Sequence, residues 1–378
     1  MPRATKVAVV SGWEPDVLAG YWQQTYGLGL DPDGEGDLVA TLVRRGEPDP
    51  SATRAVLLVH GFTDYFFNTE QADHFAARGF AVYALDQHKC GQSWREGQTP
   101  HFTTDLARYD TELERALDLM AGDAGVDVAA HAAPTFDVAA HAAPTFDVAA
   151  HAAPPADVLI YGHSTGGLIV ALWLDRMRRR GEIARRRITG LVLNSPWLDL
   201  QGPAILRTAP TRAAIGAISR IRKKRVLRPP TEGGYGATLH KEYGGEFDYN
   251  LAWKPIGGFP VTFGWLHAIR RAQAKLHLGL DVGVPNLILR SDRSVREVTD
   301  PTKTDEIQRG DAVLDVKQIA RWAGCIGNRS TIVPIVDAKH DVFLSVPEAR
   351  QAAYRELDQW LEWYVAETTS TATQSERG

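Results

Sequence analysis

The pentapeptide Gly162-His163-Ser164-Thr165-Gly166 has the residue types of a serine nucleophile and its turn. A serine hydroxyl is a weak nucleophile until the backbone pushes it out toward a base. A strand that turns sharply into a helix does this, with an unfavourable backbone angle at the serine. Glycines two before and two after remove the side chains that would collide there. The flanks have the matching character: Val158-Leu-Ile-Tyr161 is β-forming, and the segment from Gly167 is helix-forming. The helix N-terminus leaves the Thr165 N–H free to hold a developing oxyanion. The chemistry implied is acyl transfer, which needs a base and an acid farther along. His340 ends the last predicted strand, in Asp337-Ala-Lys-His340-Asp341, and fits the general base. Two aspartates compete for the acid. Asp292 directly follows Leu289-Arg290-Ser291, and Asp311 lies beyond a charged loop at 294–310.

These residues need a scaffold that brings distant strand ends together. Asp37–Val43, Ala55–Val59, Phe80–Leu85, Val158–Tyr161, Ile188–Leu193, Pro285–Leu289 and Ser330–Val336 read as strands. Several are continuous apolar runs, as expected of strands buried on both faces. Helices are predicted between them, at Thr69–Gly79, Leu106–Ala121, Gly167–Arg180 and Val313–Ala323, with an amphipathic closing helix at Pro347–Ala366. Such alternation implies an α/β fold, a mostly parallel central sheet with helices on both faces. Reactive groups then collect at the carboxyl ends of the strands, where Gly61-Phe62, Ser164, the aspartate after Leu289 and His340 all fall. The N-terminal 35 residues are mixed, with Trp13, Tyr21, Trp22 and Tyr26 as packing anchors.

Three stretches interrupt the alternation. Asp127-Val-Ala-Ala-His-Ala-Ala-Pro-Thr-Phe136 recurs as Asp137 to Phe146 and in part as Asp147 to Pro154, placing His131, His141 and His151 at ten-residue intervals. No carboxylate or cysteine sits at ligand spacing beside each histidine, so 127–156 reads as an expanded surface loop, not a metal tract. Residues 201–280 read as an inserted cap, rich in glycine and aromatics, with a cationic run at Arg220, Arg222, Lys223, Lys224, Arg225 and Arg228. That run suits a solvated helix face or peripheral contact with an anionic lipid surface. The domain plan is therefore core at 1–200, cap at 201–280, core again at 281–367, and a disordered polar tail at 368–378. The net charge of −4 argues against a general nucleic-acid partner. Cys90 and Cys325 alone imply no disulfide framework. The first ten residues lack a signal-peptide run and no segment has the length of a membrane span, so a cytoplasmic protein is expected.

The sequence resembles the α/β-hydrolase superfamily, in the branch that holds monoglyceride lipases, lysophospholipases and serine aminopeptidases of clan S33. The resemblance spans roughly residues 36–366. It rests on His60-Gly61-Phe62 after the first long strand, Gly162-His163-Ser164-Thr165-Gly166-Gly167, a cap inserted after Ser195-Pro196, Lys339-His340-Asp341, and the chain order Ser…Asp…His. The histidine repeat, the loop 294–310, and Asp86-Gln-His-Lys-Cys-Gly91 in place of a frequent Arg-Gly-His-Gly depart from it. The resemblance implies an acyl-enzyme on Ser164, His340 as base, an aspartate to orient it, and the Phe62 and Thr165 N–H groups as oxyanion hole. It implies no metal and no organic cofactor. The substrate implied is a small-molecule, lipid-like carboxylic ester, with S33-type peptidase or amidase action as the alternative and non-catalytic binding as a more distant one. Relatives carry the acid in an Asp-x-apolar-apolar-Pro/Asp pattern that opens the next helix. Asp311-Ala-Val-Leu-Asp315 fits it, which favours Asp311 over Asp292, with 294–310 as an insertion in the acid turn.

Overall fold

In the computed structural model, residues 12–47, 52–123, 157–231, 233–295 and 305–375 are described. The elements in chain order are β1 (Glu14–Pro15), β2 (Tyr21–Leu30), β3 (Asp37–Arg45), β4 (Arg54–Val59), α1 (Thr69–Ala76), β5 (Phe80–Asp86), α2 (Tyr109–Asp123), β6 (Asp157–His163), α3 (Thr165–Arg179), α4 (Glu182–Arg185) and β7 (Ile188–Asn194). They continue with α5 (Ala209–Arg222), β8 (Val226–Arg228), β9 (Val261–Thr262), α6 (Phe263–Leu276), β10 (Asn286–Ser291), α7 (Asp305–Gln308), α8 (Val316–Trp322), β11 (Ser330–Ile335) and α9 (Pro347–Ser375).

Among the described residues, nine strands form one sheet in the order β1-β2-β3-β5-β4-β6-β7-β10-β11. From β5 to β11 every pairing is parallel, and β1, β2 and β3 add an antiparallel edge. The apolar strand runs split by the two-residue period of a strand. Leu57, Val59, Ile160, Leu191, Leu193 and Ile288 face one core, packed by α2, α3, α6 and α8. Val56, Leu58, Leu159, Tyr161, Val192 and Leu289 face the other, packed by α1 and α9. The fold is thus the expected α/β architecture, and β4, β6, β10 and β11 end on the same side.

Several local expectations change. β2 is a strand where the sequence shows only packing anchors: Gly27 and Gly29 break its alternation, and the pairing with β3 shifts between them. α3 starts at Thr165, directly on the serine, because the tight turn itself is the helix N-terminus. α8 starts at Val316 instead of Val313, because Asp315 caps it by accepting from the Lys317 N–H at 3.0 Å. α9 continues to Ser375, past the expected end at Ala366 and into the stretch expected to be disordered. Thr and Ser lower helix propensity there, but no Pro or Gly stops it before Gly378. The repeat at 127–156 lies outside the described residues.

Candidate active site

The serine sits where the parallel sheet hands its chain to a helix. Ser164 has φ 52° and ψ −117°, a left-handed-side backbone that L-residues avoid. The strain is held in place by close packing. A Cβ at Gly166 would stand 2.3 Å from the His60 carbonyl oxygen, and one at Gly162 would stand 2.8 Å from the Gly167 Cα. A Cβ at Gly61 would stand 2.8 Å from that of Ser164. Glycine at these positions therefore lets the loop after β4 lie directly on the serine turn. The Ser164 N–H donates to the Asn194 carbonyl at 3.0 Å, and its own carbonyl accepts from Trp197 N–H at 2.9 Å.

His340 and Asp311 reach this serine from the other end of the chain. His340 Nε2 lies 2.9 Å from Ser164 Oγ, and His340 Nδ1 lies 3.0 Å from Asp311 Oδ2. A carboxylate only accepts, so the Nδ1 proton points at Asp311 and Nε2 is left to accept from the serine hydroxyl. Asp311 is fully buried, and its other oxygen accepts the N–H groups of Val313 and Leu314 at 2.8 and 2.7 Å. Asp311 pairs with the chain just beyond β10: its N–H donates to Arg293 O at 3.0 Å, and Val295 N–H donates to Asp311 O at 2.9 Å. Asp311 is thereby returned to the end of β10. Asp292 points elsewhere, accepting from the Asp337 N–H at 3.1 Å and pairing with Arg293 at 3.2 Å. It makes no contact with His340.

Phe62 and Thr165 flank the serine. Thr165 is the first residue of α3, so its N–H has no carbonyl one turn earlier. Phe62 is on the loop that Gly61 lays against Ser164, with its ring 4.0 Å from that of Trp265. Both residues line a cavity of about 610 Å³ together with Ser164 and His340. Its walls are mainly apolar, with Trp197, Leu200, Ile215, Trp265, Leu266 and Val313 among them. Segment 201–280, joined between β7 and β10, supplies much of this wall.

Sequence reasoning missed the residues that tie segment 201–280 to the strand ends. Lys254 Nζ lies 2.6 Å from Asp64 Oδ1, and both side chains are buried. Burial pushes the Asp64 carboxyl up, but Lys254 and the nearby His163 and His60 outweigh it and hold it below its usual value. Lys339 Nζ donates to the Thr238 carbonyl at 2.8 Å, and the Asp341 N–H donates to the Tyr235 hydroxyl at 3.1 Å. Both neighbours of His340 are therefore held by one short stretch of the segment. Burial depresses the pKa of His60 and of His163 beside the site. No motif marks these partners, since Asp64 and Lys254 are 190 positions apart. Among the described residues, no group of three or more His, Cys, Asp or Glu is arranged to hold a metal ion. His131, His141 and His151 lie outside those residues.

Comparison with known proteins bears on the family and the fold. A family model described as "Serine aminopeptidase, S33" matches residues 50–309. No curated protein sequence matches the chain significantly. Among solved structures, a soluble variant of monoglyceride lipase from Saccharomyces cerevisiae, bound to a substrate analog, is similar, with TM-score 0.55 and 15% identity over 93% of this chain and 94% of that one. The monoacylglycerol lipase of Paleococcus ferrophilus is similar with TM-score 0.51 and 15% identity over 90% and 99%. A carboxyl esterase from Bacillus coagulans in complex with glycerol has TM-score 0.51 and 11% identity over 91% and 99%. At such identities the structural likeness speaks for the fold, and the family model, which covers more than half of the chain, speaks for descent. The chain belongs to the S33 serine aminopeptidase family and is a serine hydrolase of the α/β-hydrolase fold.

Proposed function

We propose that this protein hydrolyses carboxylic esters with an apolar acyl chain, of the monoacylglycerol or lysophospholipid kind, through an acyl-enzyme on Ser164. The observation that carries the reading is the hydrogen-bonded chain Asp311, His340, Ser164 opening onto a mostly apolar cavity. Ser164 Oγ attacks the ester carbonyl as His340 Nε2 takes its proton. The imidazolium that forms is stabilised by Asp311 and returns the proton to the leaving alcohol. The N–H groups of Phe62 and Thr165 hold the negative oxygen of the tetrahedral intermediate. Water then repeats the sequence and frees the acid. No step calls for a metal or an organic cofactor. Segment 201–280 acts as the cap that shapes the acyl site.

Aminopeptidase action, which the family name suggests, is less well served. Holding a substrate ammonium group needs an unpaired carboxylate in the cavity. Among the described lining residues the one carboxylate is Asp64, and Lys254 already neutralises it. The test is a panel of p-nitrophenyl esters of graded chain length, a monoacylglycerol, and aminoacyl-p-nitroanilides. We expect ester cleavage that rises from acetate toward medium chains and vanishes in Ser164→Ala. Cleavage of the anilides with little ester turnover would move the substrate to peptides.

A further inference from the structure

We propose that the outer face of α5 and the strand after it dock on an anionic lipid bilayer. A helix on a protein surface normally turns its polar face to solvent. α5 has apolar residues on its open side as well. Ile215, Gly216 and Ser219 are buried beneath it, while Ala214, Ala217, Ile218 and Ile221 form a stripe on the open side. Ile221 is 84% exposed. Ile205 before the helix and Val226 after it extend the apolar surface, at 67% and 48% exposed.

The charge around this stripe is of one sign. Between Asp199 and Glu232 the chain has eight Arg and Lys and no Asp or Glu, in a protein of net charge −4. At 100° per residue, Arg220 and Arg222 fall on either side of the stripe, and Arg225 follows the helix. Lys223 and Lys224 turn inward instead, pairing with Asp33 at 3.0 Å and Glu35 at 2.5 Å. They fasten the helix end to the hairpin between β2 and β3. The outward arginines Arg220, Arg222 and Arg225 have no carboxylate within ion-pair distance among the described residues.

An apolar stripe bordered by arginines is the pattern of a helix that lies in a membrane interface. A second copy of this chain is a poor occupant. A two-fold contact sets the patch on itself, which would oppose arginine to arginine. Nucleic acid would pair the arginines but leave the isoleucines exposed. Position also favours lipid. Leu206 and Leu227 are partly exposed on this face and also line the cavity that holds Ser164. An amphiphile leaving the bilayer would enter the cavity without crossing water.

The test is sedimentation with vesicles of phosphatidylcholine alone, and of phosphatidylcholine with phosphatidylglycerol at low and high salt. Ser164→Ala protein is included, so that binding is read independently of hydrolysis. We expect both proteins to bind the anionic vesicles, with binding weakened by salt. The triple variant Arg220→Glu, Arg222→Glu, Arg225→Glu is expected to bind roughly tenfold or more weakly, from the usual contribution of each cation near an anionic surface. Ile221→Asp is expected to lose binding too. The triple arginine variant and Ile221→Asp should each cleave a soluble short-chain p-nitrophenyl ester as wild type does. If no ester is cleaved at all, the catalytic reading fails and the vesicle result still decides this one. Equal binding to neutral vesicles, no binding to anionic ones, or a solution dimer that Ile221→Asp converts to monomer would each overturn the proposal.

Discussion

Two aspartates lie close together in the chain, and only one of them reaches the histidine. Asp311 spends one oxygen on the Val313 and Leu314 N–H groups and the other on His340. Asparagine can keep only one of these roles. If its oxygen stays on the turn, its amide donates to Nδ1, and the ring proton moves to Nε2. That nitrogen then cannot accept from Ser164. Asp311→Asn is therefore expected to lower kcat by about 10⁴, the scale seen for the same change in a serine protease. Asp292→Asn touches only the Asp337 N–H and Arg293, and kcat should stay near wild type. The check is steady-state kinetics on one ester with both variants confirmed folded by circular dichroism. The opposite ranking would hand the acid role to Asp292.

At the level of elements, the serine turn, the loop after β4 and the start of α3 share one tightly filled space. Gly166→Ala would place its Cβ 2.3 Å from the His60 carbonyl and 2.7 Å from that of Val59. These are backbone atoms of a central strand end, which cannot swing aside. We expect a loss of roughly 1–3 kcal/mol, typical of overpacking, and a larger fall in kcat, since the loop that shifts bears Phe62. Denaturant titration beside kinetics checks this, and wild-type values in both would refute the packing argument. A second element-scale prediction concerns Asp86 at the end of β5. Burial pushes its carboxyl up to about 7, although the Phe66 and Gln92 N–H groups donate to it. An unfolded aspartate titrates near about 4. The folded state therefore holds the extra proton between these values, and stability from this group falls as pH rises through that window. Asp86→Asn should lose Tm relative to wild type less at pH 8 than at pH 5. A Tm difference that does not vary with pH would contradict the raised pKa.

Much of this element-level arrangement was legible in advance, and the reasons are physical. The central strands are short apolar runs, because each feeds two cores at once, and the glycines of the serine turn are demanded by sterics. β2 was not legible, since its glycines hide the period. α8 starts three residues later than its sequence pattern suggests, because the Asp311 carboxylate takes the Val313 and Leu314 N–H groups that a helix would otherwise use. The partners of the site, Asp64, Lys254 and Tyr235, had no local signal. Their roles come from the way segment 201–280 folds back over the strand ends.

For the molecule as a whole, segment 201–280 is tied to the sheet ends by buried ion pairs, Lys254–Asp64 and Arg270–Asp199 among them. Removing one partner strands the other charge. Lys254→Met is expected to cost about 3–5 kcal/mol at neutral pH, the usual penalty for breaking a buried pair. Asp64→Asn combined with Lys254→Met should recover much of that loss, because no uncompensated charge remains. Chemical denaturation of wild type, the single variant and the double variant measures this. Equal stability of the wild type and Lys254→Met would mean that the pair does not hold the segment in place.

In the proposed reaction Ser164 carries the acyl group. A slowly deacylating ester or a fluorophosphonate, followed by intact-mass and peptide mass spectrometry, reads this directly. The predicted result is one adduct per chain, on the peptide that contains Ser164, and none in Ser164→Ala. An adduct of equal yield in Ser164→Ala, or one mapped to another residue, would contradict it.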